Sequence, residues 1–174
     1  MSDFRILSAA LLASGRPLND SDLAHILKLK PNDVPKKVEA FKQHLETLDL
    51  GFTLETIAGG YRLIVDPQLT EALAPVLAPP APSPLSRAAL EVLAIVAYRG
   101  PVARAGIEAM RGASSSALVT LQEREWVKVV GKKDTLGQPL LYATTQKFLI
   151  DFGLNSTKDL PDTESKGFSN ILRN

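Results

Sequence analysis

Seven residues near the middle of the chain, Ala78-Pro79-Pro80-Ala81-Pro82-Ser83-Pro84, decide what the rest can fold into. The four prolines remove backbone donors and fix φ, so this segment neither continues a helix nor joins a sheet ladder. It favours an extended polyproline form spanning about 22 Å at ~3.1 Å per residue. The 174-residue chain is therefore expected to form two units, residues 1–77 and 85–161, joined by a linker at 78–84. A unit of that size is only marginally able to bury a sufficient core. The halves are expected to lean on each other, on a second copy or on another protein.

Both halves read in the same order, as an internal duplication would. In the first, Phe4, Leu7 and Leu11 recur at helical spacing, and the run stops at Ser14-Gly15-Arg16-Pro17. Asn19, Asp20 or Ser21 can cap a second short helix carrying Leu23, Ile26 and Leu27. Val34, Val38, Phe41, Leu45 and Leu48 fall at steps of four, three, four and three, one apolar stripe on a helix of about four turns. Phe52 and Leu54 then alternate with Thr53 and Glu55, Gly59-Gly60 is a tight-turn signal, and Tyr61, Leu63 and Val65 alternate with Arg62 and Ile64. That pattern predicts a β-hairpin. Asp66-Pro67 opens a closing helix, where proline suits the first turn.

In the second half a helix over 86–98 is followed by Gly100-Pro101, and a short helix holds Ile107 and Met110 and ends at Gly112. Ser114 to Ser116 cap a third helix with Leu118 and Leu121 on one face. Trp126 to Val130 and Leu140 to Ala143 form a hairpin around residues 131–137, and a helix from Thr145 to Phe152 closes the unit. Three helices and a two-stranded hairpin in this order make a winged helix-turn-helix. The expected fold is mainly α with small β-hairpins, an α+β chain of two tandem winged helix-turn-helix domains. Residues 162–174 turn polar and read as a flexible tail, in which Phe168, Ile171 and Leu172 stand at helical spacing as a candidate docking motif.

Composition excludes several functions. With no cysteine, disulfide frameworks, cysteine-rich zinc sites and thiol nucleophiles go together. Twenty Lys plus Arg against 19 Asp plus Glu leave +1, no global field for nucleic acid or an anionic membrane. No apolar run approaches the roughly 18 residues of a membrane span. Ile6 to Ala13 lacks a positive leader, since Asp3 cancels Arg5, so it reads as a first helix and the chain as cytoplasmic. Asn155-Ser156-Thr157 is then a chance glycosylation tripeptide.

A catalytic site needs a titratable pair, a nucleophile with a base, or a metal constellation. His25 and His44 are the only imidazoles and fall on two different predicted helices, His25 reading as structural and His44 as polar flank. Gly131-Lys132 is similar to the end of a phosphate loop, but Trp126 stands where the leading glycine belongs and Lys133 replaces Ser or Thr. Glu123 and Glu125 around Arg124 read as a solvated face. The chain is read as a non-enzyme with no catalytic residue, metal or cofactor.

A helix-turn-helix serves as DNA reader or as protein adaptor. A reading helix presents Arg, Lys, Asn or Gln to base edges, and in residues 114–125 only Gln122 and Arg124 qualify. Lys36, Lys37, Lys42 and Gln43 are better placed, but residues 1–77 hold 8 basic and 10 acidic side chains. Residues 85–161 hold 10 basic and 7 acidic, with Lys128, Lys132 and Lys133 on the wing. Specific DNA reading is not expected; a winged-helix transcriptional regulator is the alternative reading. The protein-binding case rests on Ala88 to Tyr98, where only Glu91 is strongly polar. A helix in a small domain needs one apolar stripe. This one is either enclosed by its own domain or lies in part beneath a partner, as when an apolar groove accepts an amphipathic helix.

The runs LSRAALEVLAIVAYRGPVARAGIEAMRG and GQPLLYATTQKFLIDFGLNSTKDLP, with LLASGRPLNDSDLAHIL and AGGYRLIVDP in the first half, closely resemble the segregation and condensation protein B (ScpB) family. The resemblance covers about residues 4–161. The chain departs from the family pattern at Gly100-Pro101-Val102-Ala103-Arg104, commonly Gln-Pro-Ile-Thr-Arg, and at Gly137-Gln138-Pro139, usually Gly-Arg-Pro. Trp126-Val127 replaces the usual Leu-Ile, and Ala113-Ser114-Ser115 stands where Val-Asn-Ser or Val-Asp-Ser is usual.

The resemblance implies a non-enzymatic accessory subunit of the bacterial condensin-like complex, cytoplasmic and nucleoid-associated, acting in chromosome condensation and partition during cell division. It implies a homodimer formed through residues 1–77. It further implies binding by residues 85–161 to the kleisin ScpA, and through ScpA to the SMC ATPase. DNA contact is indirect or weak, and no membrane is involved. Tyr98, Pro101, Arg104, Arg111 and Tyr142 are the expected kleisin-binding residues, because Tyr and Arg join broad contact to hydrogen bonding.

Overall fold

Residues 2–77 and 83–162 are described by the computed structural model. Met1, most of the proline segment (78–82) and residues 163–174, with the candidate motif at Phe168, Ile171 and Leu172, lie outside them. The chain divides into two compact units, 1–81 and 82–174.

In the first unit, α1 (Asp3–Ala13) and α2 (Asp20–Leu27) lead through a 3-10 turn, Pro31–Asp33, into α3 (Val34–Glu46). Asn19 is the cap of α2. Its side chain accepts the Asp22 N–H at 2.9 Å while the Asp22 carboxylate accepts the Asn19 N–H at 3.2 Å, a reciprocal capping box. Strands β1 (Phe52–Ile57) and β2 (Gly60–Val65) form an antiparallel hairpin, and a 3-10 turn, Pro67–Leu69, leads into α4 (Thr70–Leu77). The apolar stripe of α3 meets Leu7, Leu11 and Leu23 in a core centred on Phe41, which is 1% exposed. His44 stacks on Phe4 with ring centres 5.1 Å apart.

Two expectations need correction. Leu48 lies beyond the end of α3 and is exposed: the helix stops at Glu46, and Asp49 turns the chain with φ 47°. The hairpin turn is Ala58-Gly59, not Gly59-Gly60. Ile57 pairs with Gly60, so Ala58 (φ 51°) and Gly59 (φ 71°) supply the two positive φ values of a two-residue turn. Gly60 is there for a different reason. Leu18 and Tyr61 exchange two backbone hydrogen bonds of 2.9 Å, and a Cβ on Gly60 would stand 2.8 Å from the Leu18 carbonyl oxygen.

The second unit repeats the order with α5 (Arg87–Arg99), α6 (Arg104–Arg111), α7 (Ser115–Glu123), a hairpin, and a closing α8 (Gln146–Asp151) followed by a 3-10 turn, Thr157–Asp159. Its sheet has three strands, because Val102–Ala103 (β3) pairs with Leu140–Thr144 (β5), which also pairs with Val127–Lys132 (β4). Ser86 and Thr145 cap α5 and α8 by accepting the Ala89 and Phe148 N–H groups at 3.2 and 3.1 Å. Ser114 stands at the N-cap of α7 but accepts no backbone N–H there. It is buried, and its hydroxyl instead donates to Glu108 at 3.3 Å. The core gathers Val92, Val96, Ile107, Leu118, Leu121 and Val127 around Phe148, 2% exposed. Both units are winged helix-turn-helix domains. No helix of the described residues is long and apolar enough to cross a membrane, and no group of three or more acidic or histidine residues among them is placed to hold a metal ion.

Candidate functional site

The apolar surplus of α5 has two destinations. Ala89, Val92, Leu93, Val96 and Ala97 are buried, and this face meets α6, α7 and β5. Leu90, Ala94 and Tyr98 recur every four residues on a neighbouring stripe. Together with Leu93 and Ala97 they form one wall of a groove of about 420 Å³. Phe148 of α8 and the adjoining Phe152 form its floor, and Leu154, Leu160 and Pro161 its far wall.

That far wall is irregular chain held by local polar contacts. The Asp159 carboxylate accepts the N–H groups of Asn155 and Ser156 at 2.9 and 2.8 Å, and the Ser156 hydroxyl oxygen accepts the Lys158 N–H at 3.2 Å. The Tyr98 hydroxyl then donates to the Pro161 carbonyl at 2.6 Å, tying wall to wall. Phe152 is fixed between Phe148 and Trp126, with ring centres 4.6 and 5.2 Å away. Leu90 and Phe152, 40% and 45% exposed, present apolar surface at the rim. Such a trough suits the apolar side of an extended or helical peptide.

Of the five residues expected to bind the kleisin, Tyr98 lines this groove and the other four stand around α6 and the sheet. Pro101 is exposed just before β3. Arg104 pairs with Glu108 at 2.7 Å and also donates to the Ser115 hydroxyl. The hydrogen bond from Arg104 holds the Glu108 carboxyl below the usual carboxylate range. Arg111 is turned inward, donating to Glu91 at 2.8 Å and to the Ala113 carbonyl at 2.6 Å. Tyr142 sits in β5 opposite Val102 and Val129 and packs on the core. Sequence reasoning missed Leu90, Phe152 and Leu160 as groove residues. The Leu90–Ala94–Tyr98 stripe was the available signal for the first.

The helix α7 offers bases little beyond Gln122. The side chains α7 exposes are Ser115, Ser116, Val119, Gln122 and Glu123. Arg124 lies over the Trp126 ring at 5.2 Å and donates to the Ser83 carbonyl.

The family described as "Segregation and condensation complex subunit ScpB" matches residues 5–163. The chain belongs to that family. A ScpB relative, segregation and condensation protein B of Moorella thermoacetica, is 40% identical over 159 residues, covering 91% of this chain and 81% of its own length. The crystal structure of ScpB from Mycobacterium tuberculosis is 32% identical and covers 87% of this chain and 95% of its own, with a TM-score of 0.41. A dimer of ScpB N-terminal domain complexed with ScpA peptide is 21% identical and covers 45% of this chain and 92% of its own, with a TM-score of 0.40. The runs that resemble ScpB in the second half, 85–112 and 137–161, are those that build α5 and the opposite wall of the groove.

Proposed function

We propose that this ScpB-family chain is a non-enzymatic scaffold subunit. Two copies pair through residues 1–77, and residues 85–161 hold an apolar segment of the kleisin ScpA, which joins the subunit to the SMC ATPase. The role is chromosome condensation and segregation during cell division, in the cytoplasm and at the nucleoid.

The observation that supports this reading is uncovered apolar surface in both units. In the second it is the groove on α5. In the first it is α4, whose sequence Thr-Glu-Ala-Leu-Ala-Pro-Val-Leu is largely apolar although none of its side chains is buried; Val76 is 86% exposed. Leu48, Leu50, Val65 and Leu69 of the same unit are exposed as well. Large apolar side chains left exposed in both units are what surfaces that meet another protein present.

Light scattering of the full chain, alone and with a ScpA fragment, tests both parts. The chain alone is expected at the mass of a dimer, falling to a monomer in the Leu73→Glu/Val76→Glu variant, and ScpA is expected to add mass to the wild type. Calorimetry with ScpA on folded Tyr98→Ala, Leu90→Glu and Arg104→Glu variants locates the site. Truncating a central aromatic anchor lowers affinity by about tenfold or more. Unchanged affinity in the Tyr98 and Leu90 variants rejects the groove, and an effect of Arg104→Glu alone moves the surface to α6.

A further inference from the structure

We infer that the β4–β5 wing of the second unit is a direct, sequence-independent contact for the phosphates of duplex DNA. The wing is exposed along its outer length, from Lys128 to Gln138, and carries Lys128, Lys132 and Lys133 against the single acid Asp134. Elsewhere in this unit Arg87, Arg104, Arg111 and Lys147 are each paired with a carboxylate, whereas among the described residues Arg99, Arg124 and Lys158 are not. What sets the wing lysines apart is their clustering on one exposed ribbon. Among the described residues none of the three wing lysines takes part in an ion pair. Lys128 stands opposite Ala143 and Lys132 opposite Leu140, so no cross-strand partner neutralises either.

The register gives the charge its shape. Side chains alternate faces along a strand. In a regular ladder Lys128 and Lys132, four residues apart, would share one face. A bulge between Val129 and Gly131 inserts one residue, and the partners Ala143 and Leu140 are three apart on β5. The two lysines therefore project from opposite faces of the ribbon. A flat anionic membrane engages one face of a ribbon. A groove walled by two phosphate strands engages both, which favours duplex DNA. At the tip Leu136 is 104% exposed, an apolar side chain placed to meet the groove floor. With the exposed face of α7 poor in base-reading groups, the contact is to backbone and carries no sequence preference.

The test is fluorescence anisotropy of the full chain with labelled duplexes of two unrelated sequences. Three phosphate contacts give a log–log salt slope near about −2.7, an affinity loss of about 40-fold between about 50 mM and about 200 mM salt. Both duplexes are expected to bind alike. Lys132→Gln is expected to lower the slope by about 0.9, and Lys128→Gln/Lys132→Gln/Lys133→Gln to abolish it. Leu136→Ser weakens binding at each salt with the slope unchanged. No binding at low salt, retention of the slope in the triple variant, a strong preference for one duplex, or binding to phosphatidylserine vesicles in place of DNA would each overturn the inference. Because α4 and the groove are unaltered in these variants, dimer mass and ScpA affinity report separately on the scaffold reading.

Discussion

The two hairpins share a plan and treat charge in opposite ways. In the first unit Arg62 faces Glu55 across the ladder and pairs with it at 2.7 Å. In the second the corresponding ribbon carries lysines opposite Ala143 and Leu140. The scaffold beneath shares its element order and one backbone bridge. Leu18 bridges to Tyr61 in one unit, and Val102 pairs with Tyr142 in the other, each just after a proline that ends the first loop. The closing helices diverge again: α4 buries nothing, whereas α8 buries Phe148 and floors a groove. The framework common to both units is held by packing and close backbone approach, while the surfaces laid on it differ.

The largest expected effects lie in the cores that both units share. Phe41→Ala and Phe148→Ala are each expected to cost about 3–5 kcal/mol, read by denaturant unfolding with hydrogen exchange to locate the damage. A loss below about 1 kcal/mol in either unit would mean that the two cores are not equivalent. Next come the glycines at the tight approaches. A Cβ on Gly60 stands 2.8 Å from the Leu18 oxygen, and one on Gly100 stands 2.5 Å from the Val96 oxygen. Both contacts are with backbone, so Gly60→Ala and Gly100→Ala should each destabilise by about 1–3 kcal/mol.

The hairpin charges give a smaller difference. Arg62→Gln is expected to cost about 0.2–1 kcal/mol, because its pair with Glu55 is partly solvated. Lys132→Gln, which breaks no pair, should leave the melting temperature unchanged. Equal costs would erase the contrast.

Smallest is an acid effect that both units share. The hydrogen bond from Arg16 holds the Asp22 carboxyl below its ordinary value, and that from Arg104 does the same for Glu108. A carboxyl with a depressed folded pKa contributes stability above its unfolded value and loses it as pH falls through the folded one. Urea midpoints should therefore decline on acidification from about pH 5 to about pH 3, and decline less in Asp22→Asn and Glu108→Gln.

Much of the framework was legible because periodicity and capping are local. Phe4–Leu7–Leu11 and Val34 to Leu45 marked the helices, and Asn19 and Thr145 cap as their types allow. What escaped depends on partners distant in sequence. Two residues, Val102 and Ala103, are too few to show alternation, and only their pairing to β5 makes them a strand. Gly60 looked like turn chemistry because the Leu18 backbone against it lies 42 positions earlier. The bulge in β4 leaves no compositional mark.

Of the five residues expected to bind the kleisin, only Tyr98 lines the groove on α5, for a similar reason. The second apolar stripe of α5 was visible, but its opposite wall comes from irregular chain at 154–161. Arg111 was expected on the surface, and the structure turns it to Glu91, twenty residues away on another helix.

One consequence belongs to α4. Among the described residues, the buried apolar side chains of its unit run from Leu7 to Ile57, all upstream of that helix. Severing the chain after Leu69 would remove none of them, so α4 adds no buried side chain to the unit it closes, and its apolar face is free for the proposed pairing of two copies.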